Sequence, residues 1–81
     1  MHSNDRVSEV VSAHWRAVLG VADAGLDDDF FGLGGDSLQA ITLVENVERD
    51  LDIQFPIEVL FIDGSLKAVV SACQAEVDTG R

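Results

Sequence analysis

Residues 28–43 read DDFFGLGGDSLQAITL. Two adjacent phenylalanines and three glycines lead into Asp36 and Ser37, and a helical pattern follows without a break. Ser37 stands at the mouth of that helix, among acids and with no base beside it. A nucleophilic serine needs a His, a Lys or another residue to activate it, and none lies in reach by sequence. With Asp36 as N-cap, Gln39 falls at the third helical position, the spacing of a capping box. Ser37 is then the first helical residue, with its hydroxyl spare and directed at solvent. Gly34 and Gly35 keep the approach to that hydroxyl open. A phosphate ester placed there would lie beside free N–H groups at the positive end of a helix dipole. Ser37 could instead be the N-cap itself, a common role for serine, but the spacing favours Asp36. The stretch reads as a serine built to be modified by another protein.

The helix that opens at Ser37 runs to about Asp50. Advancing about 100° per residue, Ala40, Leu43, Val44, Val47 and Leu51 form one apolar stripe. Leu38 and Ile41 fall off it, toward the side where Glu45 and Arg49 point. A small apolar patch rimmed by charge suits a docking surface.

Upstream, a first helix is expected from about Asp5 to Leu19. Val7, Val10, Val11, His14 and Val18 share its buried face, with Trp15 and Leu19 at the edge. Ser3, Asn4 and Asp5 can each cap it, and Gly20 stops it. His14 is expected to be partly buried and neutral. Residues 20–36 hold five glycines and form a long loop, a length often tied to function. Phe30 and Phe31 pin this loop to the core, and the run Asp27-Asp28-Asp29 reads as its solvated part. Pro56 opens a short helix, with Ile57, Leu60 and Phe61 as its buried side chains. Asp63-Gly64 breaks the chain. Ser65 caps a last helix in which Leu66, Val69, Val70, Cys73 and Val77 share a face, Cys73 being a buried small hydrophobe. The fold class is all-α: a small bundle of three main helices plus one short helix.

Composition sets the outer limits. A chain of 81 residues makes one domain, 1–81. The formal net charge is −10, from 15 acidic and 5 basic residues. That excludes nucleic acid, whose phosphates need clustered Lys and Arg, and disfavours an anionic membrane. Partners with basic docking faces fit the acidity; so does its plainer use in keeping a small protein in solution. One cysteine allows no intrachain disulfide. With no signal peptide or membrane span to be read, the expected location is cytoplasmic.

Three enzymatic or ligand readings fail on residues. Gly35-Asp36-Ser37-Leu38 spells the motif of an esterase family whose histidine lies downstream of the serine, whereas His2 and His14 both precede Ser37. The glycine run lacks the Lys of a phosphate-binding loop, and no strand leads into it. The aspartate run lacks the alternating ligands and final Glu of a calcium loop.

DDDFFGLGGDSLQAITLVENV, residues 27–47, resembles the core of carrier proteins, and the doubled Phe with Leu33-Gly34-Gly35 looks most like peptidyl carrier domains of nonribosomal peptide synthesis. HWRAVLGV resembles the end of that family's first helix and FPIEVLFIDGSLKAVV its third and fourth. The resemblance implies an acyl-carrier-like bundle in which Ser37 receives 4′-phosphopantetheine from coenzyme A through a phosphopantetheinyl transferase. The arm's thiol would carry an aminoacyl, peptidyl or related acyl group to adenylation, condensation or other thioester-processing enzymes. Asp36 and Leu38 would flank the attachment point, with Asp36 helping to position metal and coenzyme A in the transferase complex. Leu38, Ile41, Glu45 and Arg49 would face partners. The domain itself, a monomer, would catalyse nothing.

The chain departs from the family pattern at three places. Asp36 is shared with acyl carriers of fatty acid and polyketide synthesis, many peptidyl carriers having His there; Gly64-Ser65 stands where Pro-Thr is common; and His14 occupies a usually apolar position. The rival readings are an acyl carrier protein for ketide or fatty chains and an unmodified acidic helical adaptor. Met1, directly before the first helix, points to a free-standing carrier, although an excised synthetase domain would also be given a Met.

Overall fold

The computed structural model describes residues 3–79, and only the backbone of residues 3–5. Its helices are α1 (Ser3–Leu19), α2 (Ser37–Leu51), α3 (Glu58–Asp63) and α4 (Leu66–Thr79). α1 packs against both α2 and α4, and α3 rests on α4. The expected class, three main helices and one short one, is what forms. α1 starts at Ser3 rather than Asp5; the side chains of its candidate caps Ser3, Asn4 and Asp5 lie outside the described residues. Gly20 ends α1 as expected. It turns at φ 68°, a left-handed value that costs glycine little, and its N–H donates to the Arg16 carbonyl at 2.8 Å.

The buried seam of α1 is rotated from the one read in the sequence. Val7, Val11 and Trp15 are buried, while Val10 and His14 are only half-buried. Trp15, expected at the edge, is 0% exposed. The indole is the largest apolar surface on the helix, and covering it outweighs the smaller gain from Val10. On α2 the expected stripe holds: Ala40, Leu43, Val44 and Val47 are buried, with Leu51 packed at the margin.

α3 corrects a second expectation. Leu60 is buried, Ile57 is half-buried, but Phe61 is 52% exposed. A six-residue helix turns a single flank inward, and the step of about 100° from Leu60 carries Phe61 outward. Its ring stacks on Phe31 instead, with centroids 5.7 Å apart and planes at 20°. α4 follows its prediction. The Ser65 hydroxyl accepts from the Ala68 N–H at 3.2 Å, and Leu66, Val69 and Cys73 are buried. Burial first, then the charges of Glu76 and Glu48, push the Cys73 thiol up to about 12.

A polar clamp joins α1 to the end of α2. The His14 imidazole donates from Nε2 to Asp50 Oδ2 at 2.6 Å, Arg49 Nε stands 3.5 Å from Asp50 Oδ1, and Arg6 donates to the Asp50 carbonyl at 3.3 Å. His14 is partly buried, as expected, but it faces a carboxylate rather than resting unpaired on the apolar face. The hydrogen bond from His14 chiefly, helped by Arg49, holds the Asp50 carboxyl below its ordinary value. A depressed carboxylate adds stability above the unfolded pKa of about 4, and that stability is lost as pH falls through the folded value. Denaturant titrations of Asp50→Asn between pH 6 and about pH 2 should therefore show a shallower acid-side loss than the parent. Parallel curves would refute the clamp's contribution.

Candidate functional site

Residues 20–36 contain no helix, and their shape comes from anchoring. Phe30 is 0% exposed. It meets Trp15 edge-on at 5.4 Å and Phe31 edge-on at 5.4 Å. On the outer side, the Phe30 N–H donates to the Gly64 carbonyl at 2.7 Å, the Leu66 N–H to Asp28 at 3.0 Å and the Lys67 N–H to Leu26 at 2.9 Å. The expected pinning by Phe30 and Phe31 is present, and the α3–α4 junction adds a backbone clip. The acid run is more than a solvated stretch. Asp28 Oδ2 accepts from the Gly25 N–H at 2.8 Å and Asp29 Oδ2 from the Gly32 N–H at 2.7 Å. Asp28 reaches back three residues and Asp29 forward three, so each short carboxylate closes a local turn of the backbone.

The loop delivers Ser37. A Cβ on Gly35 would stand 2.4 Å from the Phe30 ring, so glycine alone lets the backbone pass over that side chain. Asp36 then caps α2. Its Oδ1 accepts from the Gln39 N–H at 2.9 Å, and the Gln39 Oε1 accepts from the Asp36 N–H at 3.1 Å, completing the capping box. The Gln39 amide also donates to the Val18 carbonyl at 3.1 Å, tying the mouth of α2 to the end of α1. That tie joins residues 21 positions apart, and no local spacing announces it.

Ser37 is exposed. Among the described residues its hydroxyl makes no hydrogen bond, and the N–H groups of Ser37 and Leu38 donate to no protein acceptor. A Cβ on Gly34 would meet nothing within 4 Å, so the space beside that residue, three positions before the exposed Ser37, is empty of protein. An unengaged hydroxyl beside two free N–H donors fits a phosphodiester: the oxygen can carry the ester, and the donors face its charge.

The other expected site residues lie on the outer face of α2. Leu38 is 72% and Ile41 43% exposed, and Glu45 and Arg49 are exposed as well. Further apolar surface lies outside α2 and was missed by sequence reasoning: Ile62 is 83% exposed beside Phe61. The brevity of α3 was the available signal, since so short a helix cannot bury every apolar residue it carries.

The family described as Phosphopantetheine attachment site matches residues 9–73. The phosphinothricin tripeptide synthetase PhsC of Streptomyces viridochromogenes is 35% identical over 72 residues, covering 89% of this chain and 7% of that protein. The chain thus spans a small part of the large synthetase it matches. Among solved structures, one of the transferase Sfp in complex with coenzyme A and a peptidyl carrier protein superposes with a TM-score of 0.79 at 32% identity, covering 85% of this chain and 90% of the other. BlmI, a type-II acyl carrier protein from Streptomyces verticillus involved in bleomycin biosynthesis, superposes at a TM-score of 0.81 with 27% identity, covering 90% and 88%. The chain belongs to the phosphopantetheine-attachment-site family, in its peptidyl carrier branch.

The division between α2's two faces has measurable consequences. Asp36→Ala removes the cap and should cost about 0.5–2 kcal/mol. Leu38→Ala and Ile41→Ala should each cost under about 1 kcal/mol, as surface changes do, while Val47→Ala, which opens a core cavity, should cost more, roughly 2 kcal/mol. Urea denaturation of the four variants tests this. A Leu38 or Ile41 loss equal to that of Val47 would place those side chains in the core.

Proposed function

We propose that this chain is a non-catalytic carrier domain whose Ser37 Oγ accepts 4′-phosphopantetheine from coenzyme A in a phosphopantetheinyl transferase, and which delivers acyl cargo to the enzymes of peptide assembly. The observation that carries the reading is the separation of roles at the mouth of α2: Asp36 caps the helix, leaving the exposed Ser37 hydroxyl without an internal partner. Once attached, the arm supplies the thiol that holds an aminoacyl or peptidyl group as a thioester. The chain's own part is to hold and present. Ser37 bears the phosphodiester, the Ser37 and Leu38 N–H groups face its charge, and Gly34 leaves the entry clear. Asp36 would in addition help to position metal and coenzyme A during the transfer. Leu38 and Ile41, rimmed by Glu45 and Arg49, would meet partner enzymes such as adenylation and condensation domains.

Incubation with coenzyme A and a broad-specificity transferase should add a single phosphopantetheinyl group, read by intact mass. Ser37→Ala should abolish the addition while keeping the helical circular dichroism spectrum. Uptake of the arm by that variant would sink the assignment. The same samples carry a second readout. Cys73 is buried with its thiol pushed up to about 12, so the unmodified native protein should present no thiol reactive at neutral pH, and the modified protein one. Two fast-reacting thiols after modification would mean that Cys73 is accessible. On the modified protein, Leu38→Ala and Ile41→Ala should lower loading and onward transfer by partner enzymes at unchanged folded fraction.

A further inference from the structure

Gly64 lies 27 positions after Ser37, yet the loop that presents Ser37 hangs from its neighbourhood. Its carbonyl accepts from the Phe30 N–H at 2.7 Å, flanked by the bonds from Leu66 to Asp28 and from Lys67 to Leu26. Its backbone turns at φ 29°. A methyl placed on it would stand 2.6 Å from Asp29 Oδ1 and 3.2 Å from the Leu60 carbonyl. A shift of a few tenths of an ångström relieves the second approach. The first displaces a carboxylate that is already engaged, because its other oxygen accepts from the Gly32 N–H at 2.7 Å.

From Gly32 a short row of bonds leads to the site. The Leu33 N–H donates to the Asp29 carbonyl at 2.9 Å, the Gly34 N–H to Phe31 at 3.1 Å and the Gly35 N–H to Phe30 at 3.0 Å. Asp36 and its capping box follow at once. The bonds that shape residues 32–35 thus end on residues 29–31, and the α3–α4 junction holds those residues in turn. The φ of 29° at Gly64 lies in the left-handed region that glycine adopts at little cost.

We propose that Gly64, acting through Asp29, is a positioning residue for the modification of Ser37. By lacking a side chain it lets Asp29 hold the 32–35 turn, and that turn sets how the mouth of α2 is presented to the transferase. The proposal rests on the assignment of Ser37 as the attachment serine.

Gly64→Ala, Asp29→Ala and the double variant test it, with coenzyme A and a broad-specificity transferase, at a temperature where circular dichroism shows each fully folded. Gly64→Ala should lower kcat/KM for arm attachment by about tenfold, within the range that an ångström-scale misplacement produces. The amide resonances of Gly32 and Gly35 should shift while those of mid-α1 and mid-α4 stay in place. Because both residues act through one contact, the double variant should be no slower than Asp29→Ala alone. Attachment to Gly64→Ala at the parent rate, or losses that multiply in the double variant, overturns the proposal. If Gly64→Ala does not fold, Asp29→Ala decides. Asp29 is exposed, and a parent rate in that variant overturns the proposal as well. Failure of the unsubstituted protein to take the arm at Ser37 removes the attachment assignment and this proposal together; a normal parent with normal variants removes this proposal alone.

Discussion

The buried ring of Phe30 joins the loop to the bundle. On one side it meets Trp15 edge-on in the core; on the other, a Cβ on Gly35 would strike it at 2.4 Å. Burying such a side chain is worth about 1.5–3 kcal/mol, a large share of what so small a domain can muster. The adjacent backbone is clipped to the α3–α4 junction by the bond from Phe30 to Gly64. With both attachments in place, residues 20–36 keep one shape despite their glycines. A loop of that composition has much conformational entropy to lose, and both attachments act against that cost.

That shape matters because the last residue of the loop is the cap of α2. A helix end leaves N–H groups without partners. Asp36 takes one and Gln39 returns the bond, but the first two N–H groups of the helix stay free beside Ser37. Capping by the residue before the serine therefore does two things at once. It stabilises the helix, and it keeps a hydroxyl and two donors available for an anionic substituent. Had Ser37 been the cap, its oxygen would have been engaged in an internal hydrogen bond.

Charge and apolar surface are distributed separately. The chain carries a net −10, yet the first two turns of α2, from Ser37 to Val44, hold no charged residue. Leu38 and Ile41 stand exposed there, with Phe61 and Ile62 exposed on α3. Under the proposed function, long-range attraction from the acids would act on the approach of a basic partner, while contact at the exposed Leu38 and Ile41 would be apolar and less sensitive to salt.

Much of this was legible in the sequence. The 3.6-residue repeat of Ala40, Leu43, Val44 and Val47 determined the buried face of α2, because one helix is regular enough for spacing to fix its faces. The Asp36–Gln39 spacing determined the cap, an interaction closed within a single turn. Ser37 followed from that cap by position. What tertiary structure decided were matters between elements. Trp15 moved from the edge of α1 to its centre because Phe30, carried in by the 20–36 loop, meets its ring edge-on, and no single-helix pattern contains that neighbour. Phe61 moved outward because the short α3 offers Leu60 to the core and leaves Phe61 to stack on a loop residue 30 positions away. Asp29 and Gly64 met, as did His14 and Asp50, because helices folded back on one another. Local spacing records contacts within a turn or two of helix, and contacts made by closing a chain of 81 residues are set by how its apolar faces find each other.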